Sequence, residues 1–380
     1  MQISTKLPNV GTTIFTIMGG LAKEHQAINL SQGFPDFGCD PKLVALAQKY
    51  MEQGFNQYAP MPGVIQLREC VAKIISTCYA QNYDPDTEIT ITAGATQAIY
   101  TAIAAFIFAG DEVIVLEPAY DCYIPAIELH GAKAIASQLN PFDFSINWED
   151  VRSKVSAKTK MIVINSPHNP SGAVINANDL LELEKIVAGK NIIVLSDEVY
   201  EHMVFDGQLH QSVARSKTLV NQSVIVSSFG KTVHTTGWKI GYVAAPKELM
   251  TEFRKVHQFL VFAVNHPFQL ALADYLSDSK NYLELKHFYQ AKRDLFLKLT
   301  SSSRLKPLKT SGTYFQLMSY KTISSEKDTE FAIKLTKENK LATIPLSIFY
   351  TNKYDNKVLR FCFAKKDETL EKAAEIINKL

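Results

Sequence analysis

The chain has 380 residues, of which 46% are hydrophobic and 21% charged, and its formal net charge is only +2. That length supports about two domains with a large core, and that balance excludes a disordered chain. Near-neutral charge without a long basic run gives no reason to expect nucleic acid or an acidic membrane surface as a partner.

The N-terminal stretch, Lys6 followed by Thr12 to Ala22, loosely imitates a signal peptide. Gly19 and Gly20 break it and no clear small-residue cleavage site follows, so it reads as an arm leading into a short helix. The segment Ile28 to Phe37 comes next, with a turn marked by Gly33 and Pro35. Pro41 begins a helix that runs to about Gly54. The turn-rich Tyr58-Ala59-Pro60-Met61-Pro62-Gly63 then leads into another, from about Val64 to Tyr79. The most apolar long stretch, Ala98 to Ala109, is too short for a bilayer, which takes roughly 20 residues.

A repeating pattern follows. Glu88 to Thr92, Glu112 to Leu116, Lys133 to Ser137, Met161 to Asn165, Ile192 to Leu195, Val224 to Val226 and Gly241 to Ala245 read as strands, most of them alternating with helices. Strands that are apolar throughout, alternating with helices, predict a parallel or mostly parallel sheet covered on both faces, an α/β architecture. After Pro246 the texture changes. Lys247 to about Leu299 is helical, with a break near His266-Pro267, and Tyr314 to Leu317, Ala342 to Ile344 and Val358 to Phe363 are short strands. The expected division is an N-terminal arm that packs on the small domain (1–42), a large domain (43–280) and a small C-terminal α+β domain (281–380). The five cysteines, Cys39, Cys70, Cys78, Cys122 and Cys362, form no CxxC pair. Neither a disulfide framework nor a structural zinc is expected, and a reducing cytoplasm is the expected compartment.

In such a sheet the ligand lies beyond the carboxyl ends of the strands. Thr96, Tyr120, Asn169, Asp197, Tyr200, Ser228 and Lys231 are all placed just past a strand end. Singly, each has an ordinary explanation: Lys231 as a snorkelling lysine, Asp197 as a helix cap or structural ion pair, Ser228 as a turn serine, Lys239 as a surface lysine. Together, a lysine and a carboxylate on one rim match what pyridoxal phosphate needs, an amine for its aldehyde and an acid for its pyridinium nitrogen. Gly94-Ala95-Thr96 stands between a strand and a helix N-terminus, where backbone N–H groups favour an anion such as its phosphate. Rival motifs fail. Gly230-Lys231-Thr232 imitates the end of a P-loop, but that motif needs a glycine where Ile225 stands. No GxGxxG follows a strand, and no HExxH or paired Cys/His spacing suggests a metal.

Ser228-Phe229-Gly230-Lys231-Thr232, Gly237-Trp238-Lys239-Ile240-Gly241-Tyr242, Asn169-Pro170-Ser171-Gly172, Asp197-Glu198-Val199-Tyr200 and Gln32-Gly33-Phe34-Pro35-Asp36-Phe37 together resemble the class I/II aminotransferases. These are fold-type I pyridoxal-phosphate enzymes. The resemblance covers nearly the whole chain and is nearest to the branch of methionine aminotransferases and kynurenine or glutamine transaminases. Ser166 stands where that branch usually has threonine.

The resemblance implies roles. Lys231 would hold pyridoxal 5′-phosphate as a Schiff base and act as the proton carrier. Asp197 would pair with the pyridine nitrogen, Asn169 and Tyr200 with the ring hydroxyl oxygen, and Tyr120 would stack on the ring. Ala95, Thr96, Ser228 and Lys239 would bind the phosphate, joined by Tyr58 from a second subunit of a homodimer. Arg360 would clamp the substrate's α-carboxylate, assisted by the Gly33 N–H; without the resemblance it would read as an edge-strand surface arginine. Phe15 and Phe34 would lie near the substrate's side chain, with Phe262 entering from the partner. The activity implied is ping-pong transamination of a neutral L-amino acid (methionine, aromatic or glutamine-like) with a 2-oxo acid. A carbon–sulfur β-lyase using the same lysine is the alternative.

Overall fold

The computed structural model describes residues 3–380. Its centre is a seven-stranded sheet with strands in the order Ile89–Thr92, Gly241–Ala244, Ser223–Ser228, Ile193–Asp197, Thr159–Asn165, Glu112–Glu117, Lys133–Gln138. Gly241–Ala244 pairs antiparallel with both of its neighbours, and the other pairings are parallel. The sheet is mixed and mostly parallel, as the fold-type I resemblance implies and within what the apolar runs predict.

Alternation along single strands explains why it is covered on both faces. Val113 and Val115 pack into one buried cluster with Ala98, Ile99 and Ala102 of the helix Ala95–Phe106, whereas Ile114 and Leu116 pack into another. The same split divides Met161 and Val163 from Ile162 and Ile164.

A second, four-stranded sheet runs in the order Ile344–Pro345, Val358–Cys362, Phe315–Ser319, Lys306–Pro307, with antiparallel pairings. The N-terminal segment joins this region. Ile28–Asn29 pairs in parallel with Leu341–Ala342, and the Leu30 carbonyl accepts from Cys362 N at 2.8 Å. Between the two sheets in sequence come the helices Lys247–Leu260, His266–Leu276 and Leu285–Leu299, the second starting at the break read at His266-Pro267.

The structure shifts several strand ends by one or two residues, and two of these shifts fall at polar residues of the rim. The apolar run ends at Leu195, but the strand continues through Ser196 to Asp197, and the strand read as Val224–Val226 continues to Ser228. Asp197 and Ser228 are thus last residues of strands rather than residues beyond them. The ladder depends on backbone groups, so polar side chains at the end of an apolar run extend it. The strand carrying Arg360 is not an edge strand: it has a partner on each side and Arg360 is 1% exposed. Among the described residues, no helix is long and apolar enough to cross a membrane.

Candidate active site

A cavity of about 350 Å³ opens at the carboxyl ends of the parallel strands. Ala95, Thr96, Tyr120, Asn169, Asp197, Tyr200, Ser228, Lys231 and Lys239 line it from the large sheet's side; Phe15, Gly33, Phe34 and Arg360 line it from the other. Tyr58 is not in its wall: it is 81% exposed, with its ring edge-on to Phe262 at 5.2 Å.

Lys231 follows the strand Ser223–Ser228 in a single helical turn, Phe229–Thr232. Gly230 leaves no room for a side chain there, since a Cβ would lie 2.9 Å from Thr236 Cα. The Lys231 amine donates to Gly33 O at 3.2 Å and to the Tyr314 hydroxyl at 3.0 Å. It also lies 5.7 Å from the centre of the Tyr200 ring. The residue keeps some exposure to the cavity and is enclosed by protein elsewhere. Burial pulls its amine down to about 8, with the Arg360 and Lys239 cations acting in the same direction and Cys362 and Asp197 against it.

Asp197 is 3% exposed. Its Oδ2 accepts from the Tyr123 hydroxyl at 2.5 Å and its Oδ1 from Val199 N at 3.3 Å. Burial pushes the carboxyl up to about 6; those two hydrogen bonds oppose the rise, and the Glu198 carboxylate adds to it. A carboxylate so placed pairs readily with a cation brought into the cavity. Behind it, Asn165 Nδ2 donates to the Asp197 carbonyl at 2.8 Å, and Asn165 Oδ1 accepts from Asn169 N at 2.8 Å.

An anion site is built at the other end. The helix Ala95–Phe106 starts at Gly94, whose φ is +78°, without a side-chain cap. Its first N–H groups therefore have no side chain of the N-cap to bond. A Cβ on Gly94 would sit 3.4 Å from Lys239 Nζ, so the ammonium lies against that first turn. Gly241 makes the approach possible: a Cβ there would lie 2.5 Å from Ser227 O and 3.2 Å from Ala95 N. Lys239 itself has a φ of +55°, in the left-handed region.

Arg360 rises from the second sheet. Its Nη1 donates to Asn169 Oδ1 at 2.7 Å and its Nη2 to Ser31 O at 3.1 Å. Its Nε is buried with no acceptor among the described residues. The guanidinium lies 3.9 Å from the centre of the Phe315 ring and 5.3 Å from those of Phe15 and Phe349. A guanidinium with a free donor at a cavity wall suits a carboxylate.

Three neighbours were not legible in the sequence as site residues: Tyr123, Asn165 and Tyr314. Asn165 carries a usable signal, a polar residue closing an apolar strand, and it pairs in register with Asp197. Tyr123 opens a short helix and Tyr314 immediately precedes a short strand, and nothing local marks either hydroxyl. The Gly33 carbonyl is a further contact that the sequence did not mark: it accepts from Lys231 and Tyr314.

The family profile "Aminotransferase class I and II" matches residues 25–377. The chain belongs to the class I and II aminotransferases. It is 48% identical over 377 residues to the methionine aminotransferase of Escherichia coli K12, covering 99% of this chain and 98% of that one. The solved structure of an Escherichia coli protein with an identified methionine aminotransferase function superposes with a TM-score of 0.98, at 47% identity and full coverage of both chains. The N-succinyldiaminopimelate aminotransferase of Mycobacterium tuberculosis superposes at 0.96, with 34% identity and full coverage of both. The chain is thus a pyridoxal-phosphate-dependent aminotransferase of fold type I. Its cavity fits that cofactor by the donor set it presents: a half-buried amine, a buried carboxylate, and an uncapped helix start beside an ammonium.

Proposed function

We propose that this aminotransferase moves the amino group of a neutral L-amino acid, methionine foremost, to a 2-oxo acid. The observation that carries the reading is the make-up of the cavity wall. Among the described residues Arg360 is the one arginine lining it, and Phe15, Phe34, Ile99, Val199 and Phe315 supply apolar surface. A substrate with one carboxylate and an apolar side chain matches that wall, whereas a second carboxylate would have no guanidinium left to meet. The 48% identity to a methionine aminotransferase supports the same choice.

When bound, pyridoxal 5′-phosphate supplies an aldehyde for the exchange of amines and an electron-poor ring that acidifies the substrate's α-carbon. Lys231 Nζ would be the amine that binds it and would carry the proton at that carbon. Asp197, held by Tyr123, would pair with the pyridine nitrogen and keep it protonated. Asn169 and Tyr200 would hold the ring hydroxyl oxygen, and Tyr120 would stack on the ring. Ala95, Thr96, Ser228 and Lys239 hold the phosphate, with Tyr58 of a second subunit. Arg360 fixes the substrate's α-carboxylate and the Gly33 N–H assists. Phe15 and Phe34 meet the substrate's side chain, with Phe262 of a second subunit.

A homodimer with shared sites and a cytoplasmic location belong to the same proposal. Exposed Tyr58 and Phe262, stacked edge-on, support the first, and five free cysteines the second. The relatives described above, all aminotransferases, support transamination over the β-lyase alternative.

The test is a donor panel on the purified holoenzyme, reading loss of the cofactor's visible absorbance and steady-state kcat/KM. Methionine or another neutral donor is expected to exceed aspartate by about 10-fold or more. Aspartate as the best donor overturns the substrate assignment. Pyruvate and ammonia from a cysteine S-conjugate, released at comparable rates without a 2-oxo acid, would mark the lyase instead.

A further inference from the structure

We propose that the Gly33 carbonyl and the Tyr314 hydroxyl form a berth for the Lys231 amine whenever that amine is not covalently engaged, which makes Tyr314 a positioning residue for proton transfer at the substrate's α-carbon. The inference rests on the reading of Lys231 as the reacting amine.

The berth is a closed triangle. Lys231 Nζ donates to Gly33 O at 3.2 Å and to Tyr314 Oη at 3.0 Å, while the Tyr314 hydroxyl donates to Gly33 O. The phenol's single proton is thus committed to the carbonyl, which turns its lone pairs to the amine. A neutral amine has two hydrogens and one lone pair. With both hydrogens on the berth, the lone pair points away from it. When that lone pair takes a proton from the α-carbon, the ammonium has three hydrogens: two stay on the berth and the third is the proton in transit. Giving that proton up restores the starting state, so the berth's bonds persist through both transfers.

Packing keeps the berth still. Tyr314 is 0% exposed, and its ring lies 5.1 Å from Tyr200, 4.9 Å from Phe315 and 5.6 Å from Tyr289. Gly33 is tied down on either side: Ser31 N and Gln32 N donate to Asn29 Oδ1, and the Phe34 carbonyl accepts from buried Lys365 at 2.8 Å. Lysine has a long flexible stem, and a base that must leave and return gains most from a fixed resting point. The two halves come from different sheets. Lys231 follows a strand of the large one; Tyr314 immediately precedes a strand of the small one.

Two experiments test this. Tyr314→Phe keeps the ring and removes the acceptor. Expected are cofactor affinity and KM for the best donor within about 3-fold of wild type, kcat down by about 10- to 100-fold, and a larger primary isotope effect with the α-deuterated donor. A kcat within about 2-fold with an unchanged isotope effect overturns the berth. The second uses wild-type crystals of the enzyme loaded with pyridoxamine 5′-phosphate, which leaves the lysine free. Nζ is expected within hydrogen-bonding distance of Gly33 O and Tyr314 Oη. Nζ in the cavity but bonded elsewhere overturns the berth and leaves the Lys231 reading standing. Failure of borohydride to fix the cofactor on Lys231 in the holoenzyme overturns that reading itself.

Discussion

The two walls of the cavity are built on different physics. On the large sheet's wall, Asp197 and Lys231 are ionisable groups whose affinities for protons are displaced towards each other by burial, to about 6 and about 8. Their supports are polar: Tyr123 on the carboxylate, and Gly33 and Tyr314 on the amine. On the small sheet's wall, Arg360 stays a cation and is held by aromatic faces and by Asn169 Oδ1 and the Ser31 carbonyl. The first wall is equipped to change protonation state, the second to keep a fixed charge in a fixed place. Chemistry common to every substrate belongs on the first, and recognition of one substrate end on the second.

Removing the amine breaks the first wall most severely. Lys231→Ala is expected to lower kcat by about 10⁴-fold or more, measured as steady-state transamination. Near-wild-type turnover would end the assignment. Asp197→Asn comes next, with kcat down by about 10²- to 10³-fold and weakened cofactor binding, because an amide does not hold a pyridinium. The same change has the opposite effect on the cofactor-free fold. The Asp197 carboxyl rises from its ordinary 3.8 to about 6, which corresponds to about 3 kcal/mol against the folded state at pH 7. Since the folded value lies above the unfolded one, that cost is full above about pH 6 and fades as the pH falls towards 4. Cofactor-free Asp197→Asn should therefore be about 2–3 kcal/mol more stable than wild type at pH 7, and no more stable at pH 4, by urea unfolding. Equal stability at pH 7 would mean that the first wall is not strained by its own carboxylate.

Arg360→Lys tests the second wall. Lysine keeps the charge but loses the planar fork that reaches Asn169 Oδ1 and Ser31 O together and lies on Phe315. KM for the amino donor should rise by about 10- to 100-fold, with kcat and cofactor affinity changing much less. If cofactor affinity falls as far as in Asp197→Asn, the two walls do not divide the work.

The walls also differ in how far the sequence exposed them. The large sheet's rim was legible because polar residues at the ends of apolar strands are out of place locally: Asn169, Asp197, Ser228 and Lys231 stand out for that reason. Arg360 did not stand out, since an arginine within a short strand is unremarkable until both neighbouring strands are known; only the family resemblance singled it out. Tyr123 and Tyr314 were hidden for another reason. Each is an aromatic residue at or just before the start of a short helix or strand, and what sets it apart is the one hydroxyl that tertiary packing brings to Asp197 or to Lys231. Side-chain periodicity places a ring in the core but says nothing of where its oxygen ends. The Gly33 carbonyl was hidden similarly: the turn was legible, but not that this carbonyl faces the lysine.

The smallest expected effect concerns a residue that belongs to neither wall within one chain. Tyr58 is 81% exposed and touches half-exposed Phe262 edge-on at 5.2 Å. As a phosphate ligand reaching a partner's cavity it would do the first wall's work from outside. Tyr58→Phe then removes one hydrogen bond to an anion, and the cofactor dissociation constant should rise by about 3- to 10-fold, with kcat and donor KM within about 2-fold when the cofactor is saturating. Mixed dimers decide whether the contact crosses between subunits. Pairing a Tyr58→Phe chain with a Lys231→Ala chain leaves one cavity with an intact lysine. If Tyr58 acts across the interface, that cavity receives the unmodified tyrosine of the Lys231→Ala chain, and its cofactor affinity returns to the wild-type value. If Tyr58 acts within its own chain, the same cavity keeps the weakened affinity, because its lysine and its phenylalanine travel together.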